Sequence, residues 1–230
     1  MDILSRLTFF TTLDYVALGF LILCWLAIGW RIEHPGKKHL STSMIMAGYR
    51  REWMKQMVTR EPRIFDAQVL ASLRQGTAFF ASTSVIAIGG TLALIGNADQ
   101  ASGVAQDITF INHPAIVWEL KLLVVTFLLT NAFLKFVWSN RLFGYCSVLI
   151  ASVPNDPEDP GAYPRAAQAA EINITVARSF NRGLRSIYFA LACLAWLAGA
   201  VPLILATIVT VIVIWRREFA SASRKVLLNA

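Results

Sequence analysis

The sequence predicts an all-α fold, a polytopic membrane helix bundle formed by one membrane domain, 1–230. The chain is 56% hydrophobic and 15% charged, whereas soluble domains carry about 25% charged residues. Three apolar stretches, about 13–30, 76–97 and 116–138, are each long enough to cross a bilayer as a helix, which needs about 20 residues. A fourth apolar stretch, 186–215, contains no charged residue.

The fourth stretch is predicted to form a C-terminal helical hairpin. As one helix it would reach about 45 Å, well beyond a hydrocarbon core of roughly 30 Å. A break at Gly199 and Pro202 gives two arms, 186–200 and 203–217, and keeps the flanking arginines on one side of the membrane. The alternative is one long helix kinked at Pro202, which packing against neighbouring helices tolerates.

The distribution of Lys and Arg predicts the orientation of the spans. Basic residues are concentrated in two long connections, 31–75 and 139–185, whereas the connection 97–114 has none. Because Lys and Arg are enriched in cytoplasmic loops, we expect both long connections and the C-terminus to be cytoplasmic, and the N-terminus to be outside. A net charge of +7 then indicates anionic lipid headgroups as partners, and not nucleic acid.

Both cytoplasmic connections are predicted to contain long amphipathic helices. Apolar residues recur every four positions over 45–57, with basic residues on the opposite side, as in a helix at the membrane interface or packed on a partner subunit. The basic candidates on the two helices are Arg50, Arg51, Arg178, Arg182 and Arg185. They are predicted to bind lipid phosphates, to line a cytoplasmic vestibule, or merely to be solvated.

Polar residues inside the second and third spans are candidates for a conduit. Ser84 lies in the second span, and Glu119, Thr126 and Thr130 share one face of the third. A carboxylate at membrane depth is costly, so Glu119 suggests an ion- or proton-related role. Alternatively, Glu119 pairs with an Arg or Lys or is exposed at the interface. The alternative for the Ser and Thr hydroxyls is that they bond to carbonyls of their own helix.

Two other charges and a stripe of small residues complete the spans. Asp14 begins the first span and is expected in the headgroup region, and Lys121 is expected to extend its side chain to the outer interface. Thr83, Ala87 and Gly90 form a face that permits close approach of another helix.

The sequence contains no pattern typical of an enzyme. Nucleotide-binding loops and hydrolase signatures are absent. Cys24, Cys146 and Cys193 lack metal-ligand spacing, and no His lies within a predicted span to hold haem. We therefore expect no enzymatic activity, no catalytic residue, no metal and no cofactor.

Three segments carry a family resemblance. The run RSFNRGLRSIYF at 178–189 is accompanied by RREWM at 50–54 and RREF at 216–219. Together they resemble an uncharacterised membrane family, domain of unknown function 599. The resemblance implies an integral membrane protein of bacterial type, and hence a place in the bacterial inner (plasma) membrane. It implies no activity, substrate or catalytic residue.

Two functions are compatible with these patterns. The first is a homo-oligomeric channel or small-solute conduit, for which the polar stripe of spans two and three supplies the path. The second is a non-catalytic scaffold or accessory subunit that binds anionic lipid and another membrane protein complex. We accordingly expect either a homo-oligomer or a larger membrane complex.

Overall fold

The computed structural model describes residues 9–36, 39–97 and 114–229, and the regular elements in these ranges are all helical. The predicted all-α fold is thereby confirmed. In chain order the elements are α1 (Thr12–Glu33), α2 (Thr42–Val58), α3 (Ile64–Gly96), α4 (Ala115–Ala151), α5 (Ala162–Leu194), a 3-10 turn (Ala195–Ala198), α6 (Ala200–Phe219) and α7 (Ala222–Leu228). Apart from its ends, the predicted outer connection 97–114 lies outside the described residues.

Four helical segments in the described part of the chain are long and apolar enough to cross a membrane. They are α1, α3, α4 and the segment Ala200–Leu228, with hydropathy of 1.8 to 1.9 over their apolar windows. This makes the chain a membrane protein. At 33 and 37 residues, α3 and α4 exceed the roughly 20 residues that a span needs, so both have room for polar ends.

The chain forms two compact units, each drawn from three chain segments. Unit 1 is drawn from Met1–Arg31, Thr83–Ala132 and Leu184–Arg216, and unit 2 from Ile32–Ser82, Phe133–Gly183 and Arg217–Ala230. The long helices α3, α4 and α5 each contribute to both units.

Within unit 1, the 3-10 turn and the end of α6 contact opposite ends of α1. At the start of α1, Trp196 Nε1 donates a hydrogen bond of 2.7 Å to Asp14 Oδ1. At the other end of α1, the Arg31 guanidinium lies 5.8 Å from the ring centroid of Trp215, and Arg185 packs beside the same end. The chain therefore reverses direction between Arg185 and Trp215. The number of membrane crossings in this stretch stays a prediction.

The reversal uses the 3-10 turn that follows α5. Gly199 comes next, with φ 123° and ψ 174°, a conformation that residues with a Cβ atom rarely adopt. Pro202 lies in the first turn of α6, where a missing N–H breaks no helical hydrogen bond. Gly199 therefore separates the turn from the new helix, and Pro202 fits that helix's beginning.

Helix α3 contacts the rest of the chain along a narrow line. Its buried residues are Asp66, Leu70, Thr77, Ser84 and Thr91. Beyond Leu70 they recur every seven residues, which is two helical turns, so they share one face. In the stripe of small residues, Thr83 and Gly90 are exposed and Ala87 is half-buried.

The core of unit 2 is formed by α2, the second half of α4 and the first half of α5. Its largest buried apolar side chains include Met54 and Met57. The helices α4 and α5 approach closely where Gly183 faces Phe136, because a Cβ atom at Gly183 would lie 2.7 Å from Phe136 Cε1. Phe136 is fully buried and its ring packs against those of Phe80 and Phe180, so it has little freedom to move away.

Candidate functional site

A cavity of about 430 Å³ in unit 2 is the candidate site. Helices α2 to α6 all border it. Its apolar walls include Met46, Leu73, Phe143, Val176 and Phe180. Its polar groups come from Thr42, Ser43, Arg50, Ser72, Thr77, Asn181 and Glu218. An apolar pocket of several hundred Å³ with a few convergent polar groups is typical of small-molecule sites.

The start of α2 fixes the first of these polar groups. Ser41 is the N-cap, because its Oγ accepts the Met44 N–H at 3.3 Å and donates to the Ile32 carbonyl at 2.9 Å. Serine is among the preferred residues at this position, since its hydroxyl satisfies a main-chain N–H that the helix leaves unpaired. The next residue, Thr42, donates its hydroxyl to the Glu218 carbonyl at 3.0 Å. The beginning of α2 is thus attached to the end of α6.

Ser43 links two side chains that are distant in sequence. Its N–H donates to Glu218 Oε2 at 3.1 Å, and its hydroxyl donates to Glu218 Oε1 at 2.9 Å. The same hydroxyl accepts a bond of 3.2 Å from Asn181 Nδ2. The carboxylate therefore lies at the positive end of the α2 dipole, where negative charge is favoured, and the Ser43 hydroxyl has a fixed direction.

Arg50 lines the same cavity. Its Nη1 donates to Asn173 Oδ1, and the fully buried Asn173 donates in turn to Cys146 Sγ at 3.7 Å. Burial lowers the pKa of Arg50 from its ordinary value because a guanidinium loses hydration when it leaves water. Within the described residues, the partner of this cation is a neutral amide and not a carboxylate.

A family model described as "Protein of unknown function, DUF599" matches residues 16–223. The chain belongs to this family. The match reaches from α1 to the beginning of α7, and it confirms the resemblance carried by the segments 50–54, 178–189 and 216–219. No curated protein and no solved structure matches the chain. Membership of DUF599 implies no activity.

Two of the predicted basic residues form surface ion pairs. Arg51 Nε lies 2.6 Å from Glu171 Oε1, and Arg182 Nε donates to Glu33 Oε1 at 2.9 Å. The hydrogen bond between Arg51 and Glu171 raises the pKa of Arg51 and lowers that of Glu171. Both pairs join separate helices or helix ends within unit 2.

The other three predicted basic residues differ in exposure. Arg178 is exposed, Arg50 is half-buried in the cavity wall, and Arg185 is buried within unit 1. The five arginines therefore do not share one solvent-facing surface. Sequence periodicity places residues on a helix face, but it does not tell which part of that face a neighbouring helix covers.

The conduit candidates lie in unit 1. Thr126 Oγ1 is 3.0 Å from Thr91 Oγ1 and donates to the Leu122 carbonyl at 2.9 Å, so this hydroxyl joins α3 to α4. Ser84 is buried, whereas Glu119 and Thr130 are half-buried. The structure thus brings Thr126 together with Thr91, a residue that the sequence did not single out.

Lys121 departs from the expectation that it extends toward the interface. It is 4% exposed, and its Nζ donates to the Trp196 carbonyl at 2.9 Å. The rings of Trp118 and Trp196 lie 5.8 and 5.6 Å from the same Nζ. The physical reason is the 3-10 turn: it presents the Trp196 carbonyl, which accepts the Gly199 N–H at 2.9 Å and the Lys121 ammonium as a second donor.

Sequence reasoning did not select Ser43, Asn181 or Glu218. Ser43 and Asn181 are separated by 138 residues, and Ser43 and Glu218 by 175, so no local pattern joins them. One signal was present: the polar run at 41–43 before an apolar periodic segment is typical of a helix start. Across the part of the chain that the structure describes, no group of three or more His, Cys, Asp or Glu side chains is arranged to hold a metal.

Proposed function

We propose that the protein is a non-catalytic, membrane-anchored binding protein whose unit 2 holds anionic lipid and another membrane protein complex at the cytoplasmic face. The observation that carries this proposal is the partition of charge. Unit 2 contains 16 of the 21 Lys and Arg residues and 9 of the 14 Asp and Glu residues. Unit 2 therefore accounts for the whole net charge of +7, and unit 1 is neutral.

Many of these cations are exposed, and two of them, Arg51 and Arg182, also form surface ion pairs. The exposed basic residues of unit 2 include Arg51, Lys55, Arg74, Arg141, Arg165, Arg178, Arg182, Arg217 and Lys225. Basic residues next to a membrane bind anionic headgroups with about 1 kcal/mol per Lys or Arg near the surface. A dispersed set of this size favours a charged surface such as a lipid leaflet, with or without an acidic partner protein.

The conduit hypothesis receives less support from the same contacts. The Thr126 hydroxyl bonds to Thr91 and to its own helix, and Ser84 is buried within the chain. Hydroxyls held in this way stabilise helix contacts and are not presented to a passing solute.

The proposal is tested by counting bound anionic lipid on a charge-neutralised variant. The variant replaces the exposed cations Lys55, Arg178 and Lys225 by Gln, and native mass spectrometry measures retained phosphatidylglycerol against phosphatidylcholine. At about 1 kcal/mol per cation, the triple variant should bind the anionic lipid about 100-fold more weakly. Raising the salt concentration should reduce binding to the wild type in the same direction.

The matched control exchanges Lys and Arg at the same three positions, which keeps every charge. It should retain phosphatidylglycerol as the wild type does. Equal lipid retention by all three proteins would remove the support for the proposal, as would a wild type that does not distinguish the two lipids.

One observation keeps a homo-oligomeric conduit as a second candidate. Thr83 and Gly90 are exposed on α3, and small residues of this kind allow two membrane helices to approach closely. The native mass of the protein extracted with its lipid distinguishes the candidates. A closed ring of identical chains, together with altered solute flux in Glu119→Gln, supports the conduit; a single copy with a different partner chain supports the binding protein.

A further inference from the structure

The unit 2 cavity contains two opposite charges that do not neutralise each other. Glu218 accepts its described side-chain bonds from Ser43, and Arg50 donates to Asn173. Both charges are only half exposed, and both line the same space of about 430 Å³. Removing a charge from water without a partner of opposite sign is costly, so this arrangement calls for a ligand that neutralises both.

Each charged side chain has donors or acceptors beyond its described bonds. The described bond of Arg50 uses Nη1, and the edge formed by Nε and Nη2 is the one that grips a carboxylate or phosphate with two parallel bonds. Each Glu218 oxygen accepts one bond from Ser43, and a carboxylate oxygen can accept a second. An ammonium group supplies up to three donors for such acceptors.

The pairing of charges selects the class of ligand. A simple anion would be attracted by Arg50 and repelled by Glu218. A simple cation would be attracted by Glu218 and repelled by Arg50. A molecule that carries both an ammonium and an oxyanion matches both side chains, and the apolar walls suit a carbon linker between the two groups. Asn181 holds the Ser43 hydroxyl toward Glu218, so the acceptor side is oriented before a ligand arrives.

We propose that this cavity binds a small zwitterion, with its ammonium on Glu218 and its oxyanion on Arg50. The chemistry is that of a primary ammonium joined to a phosphate by a short linker. It has two sources: a free solute such as phosphoethanolamine, or the headgroup of phosphatidylethanolamine in the bilayer. The proposal is independent of the surface binding described above, because that binding rests on exposed cations and not on this cavity.

The first test needs no variant and uses the full chain in an uncharged detergent. Isothermal calorimetry measures phosphoethanolamine, ethanolamine and inorganic phosphate as free probes. Native mass spectrometry of the protein in mixed nanodiscs measures phosphatidylethanolamine against phosphatidylglycerol. Phosphoethanolamine should bind at least tenfold more tightly than either half-molecule. Enrichment of phosphatidylethanolamine without binding of the free probes upholds the proposal with the lipid as source. Equal binding of the three probes with no lipid enrichment overturns it, as does no binding of any kind.

The second test uses Glu218→Gln, which keeps one amide oxygen to accept a bond from Ser43 and loses the negative charge. It should weaken binding of the zwitterion at least tenfold and leave binding of phosphate unchanged or stronger. Glu52→Gln is the matched control, because Glu52 is exposed on α2, outside the cavity lining. The assignment is overturned if both variants bind the zwitterion as the wild type does, or if both lose it equally.

Discussion

Units 1 and 2 share three long helices and yet differ in how they hold charge. Unit 1 has five basic and five acidic residues, whereas unit 2 has 16 and nine. Ion pairs described in the structure, such as Arg51 with Glu171, lie in unit 2. Continuous helices can therefore serve as apolar spans over one part of their length and as the frame of a polar, basic unit over another.

The treatment of buried charge shows the difference most clearly. In unit 2 the fully buried Asp66 accepts a 2.6 Å bond from Trp53 Nε1 and pairs with Arg60. In unit 1 the buried Lys121 has a main-chain carbonyl and two indole rings as partners. Both charges lie beside tryptophan, but only Asp66 is neutralised by direct contact with an opposite charge. The stability of unit 2 should therefore depend more strongly on Asp66 than the stability of unit 1 depends on Lys121.

The largest effect is expected for Asp66→Ala. The substitution leaves Arg60 without its carboxylate and the Trp53 indole N–H without its acceptor, at a buried site between α2 and α3. Breaking a buried pair in this way costs about 3 kcal/mol, measured as the free energy of unfolding in mixed micelles. Glu52→Ala is the control, because its exposed bond to Gln56 is worth at most about 0.5 kcal/mol. Equal losses for the two variants would contradict the assigned role of Asp66.

A smaller effect is expected in unit 1 for Lys121→Met. The Trp196 carbonyl loses the ammonium donor but keeps its 2.9 Å bond from the Gly199 N–H. The uncharged methionine also avoids the cost of removing a cation from water. We expect a loss of about 1–2 kcal/mol in the same unfolding measurement. Leu123→Met, at an exposed position of the same helix, should change stability by less than about 0.5 kcal/mol. A loss for Lys121→Met as large as that for Asp66→Ala would end the contrast between the units.

The sequence predicts the helices because their signals are local. Hydropathy identifies the apolar spans, and the glycine at 199 has the special conformation that a chain reversal requires. Charge counting is equally informative: of the 14 basic residues in the long connections 31–75 and 139–185, 12 fall within unit 2. These features depend on residues that are neighbours along the chain.

The cavity depends on residues that are not neighbours. Ser43, Asn181 and Glu218 come from α2, α5 and α6, and their meeting is set by how three helices pack. The inward position of Lys121 has the same origin, because its acceptor is a carbonyl 75 residues away. Helical periodicity gives a face for each residue but not the partner of that face, which is why the basic candidates were found and the cavity was not.

The smallest effect is expected for the surface pair of unit 2. Hydrogen bonding to Arg51 lowers the pKa of Glu171 from its ordinary value of 4.5, so the folded state binds this proton less readily than the unfolded state. The pair therefore stabilises the fold above pH 4.5, and this contribution is lost as the pH falls through the lowered pKa. Both side chains are more than half exposed, so the contribution at neutral pH should be about 0.2–1 kcal/mol and should shrink in salt. A double-mutant cycle of Arg51→Ala and Glu171→Ala measures it, at pH 7 and at a lower pH where NMR shows that Glu171 is protonated in the folded protein. A coupling energy that persists once Glu171 is protonated would show that the contact between the two side chains, and not their charge, is what stabilises unit 2 there.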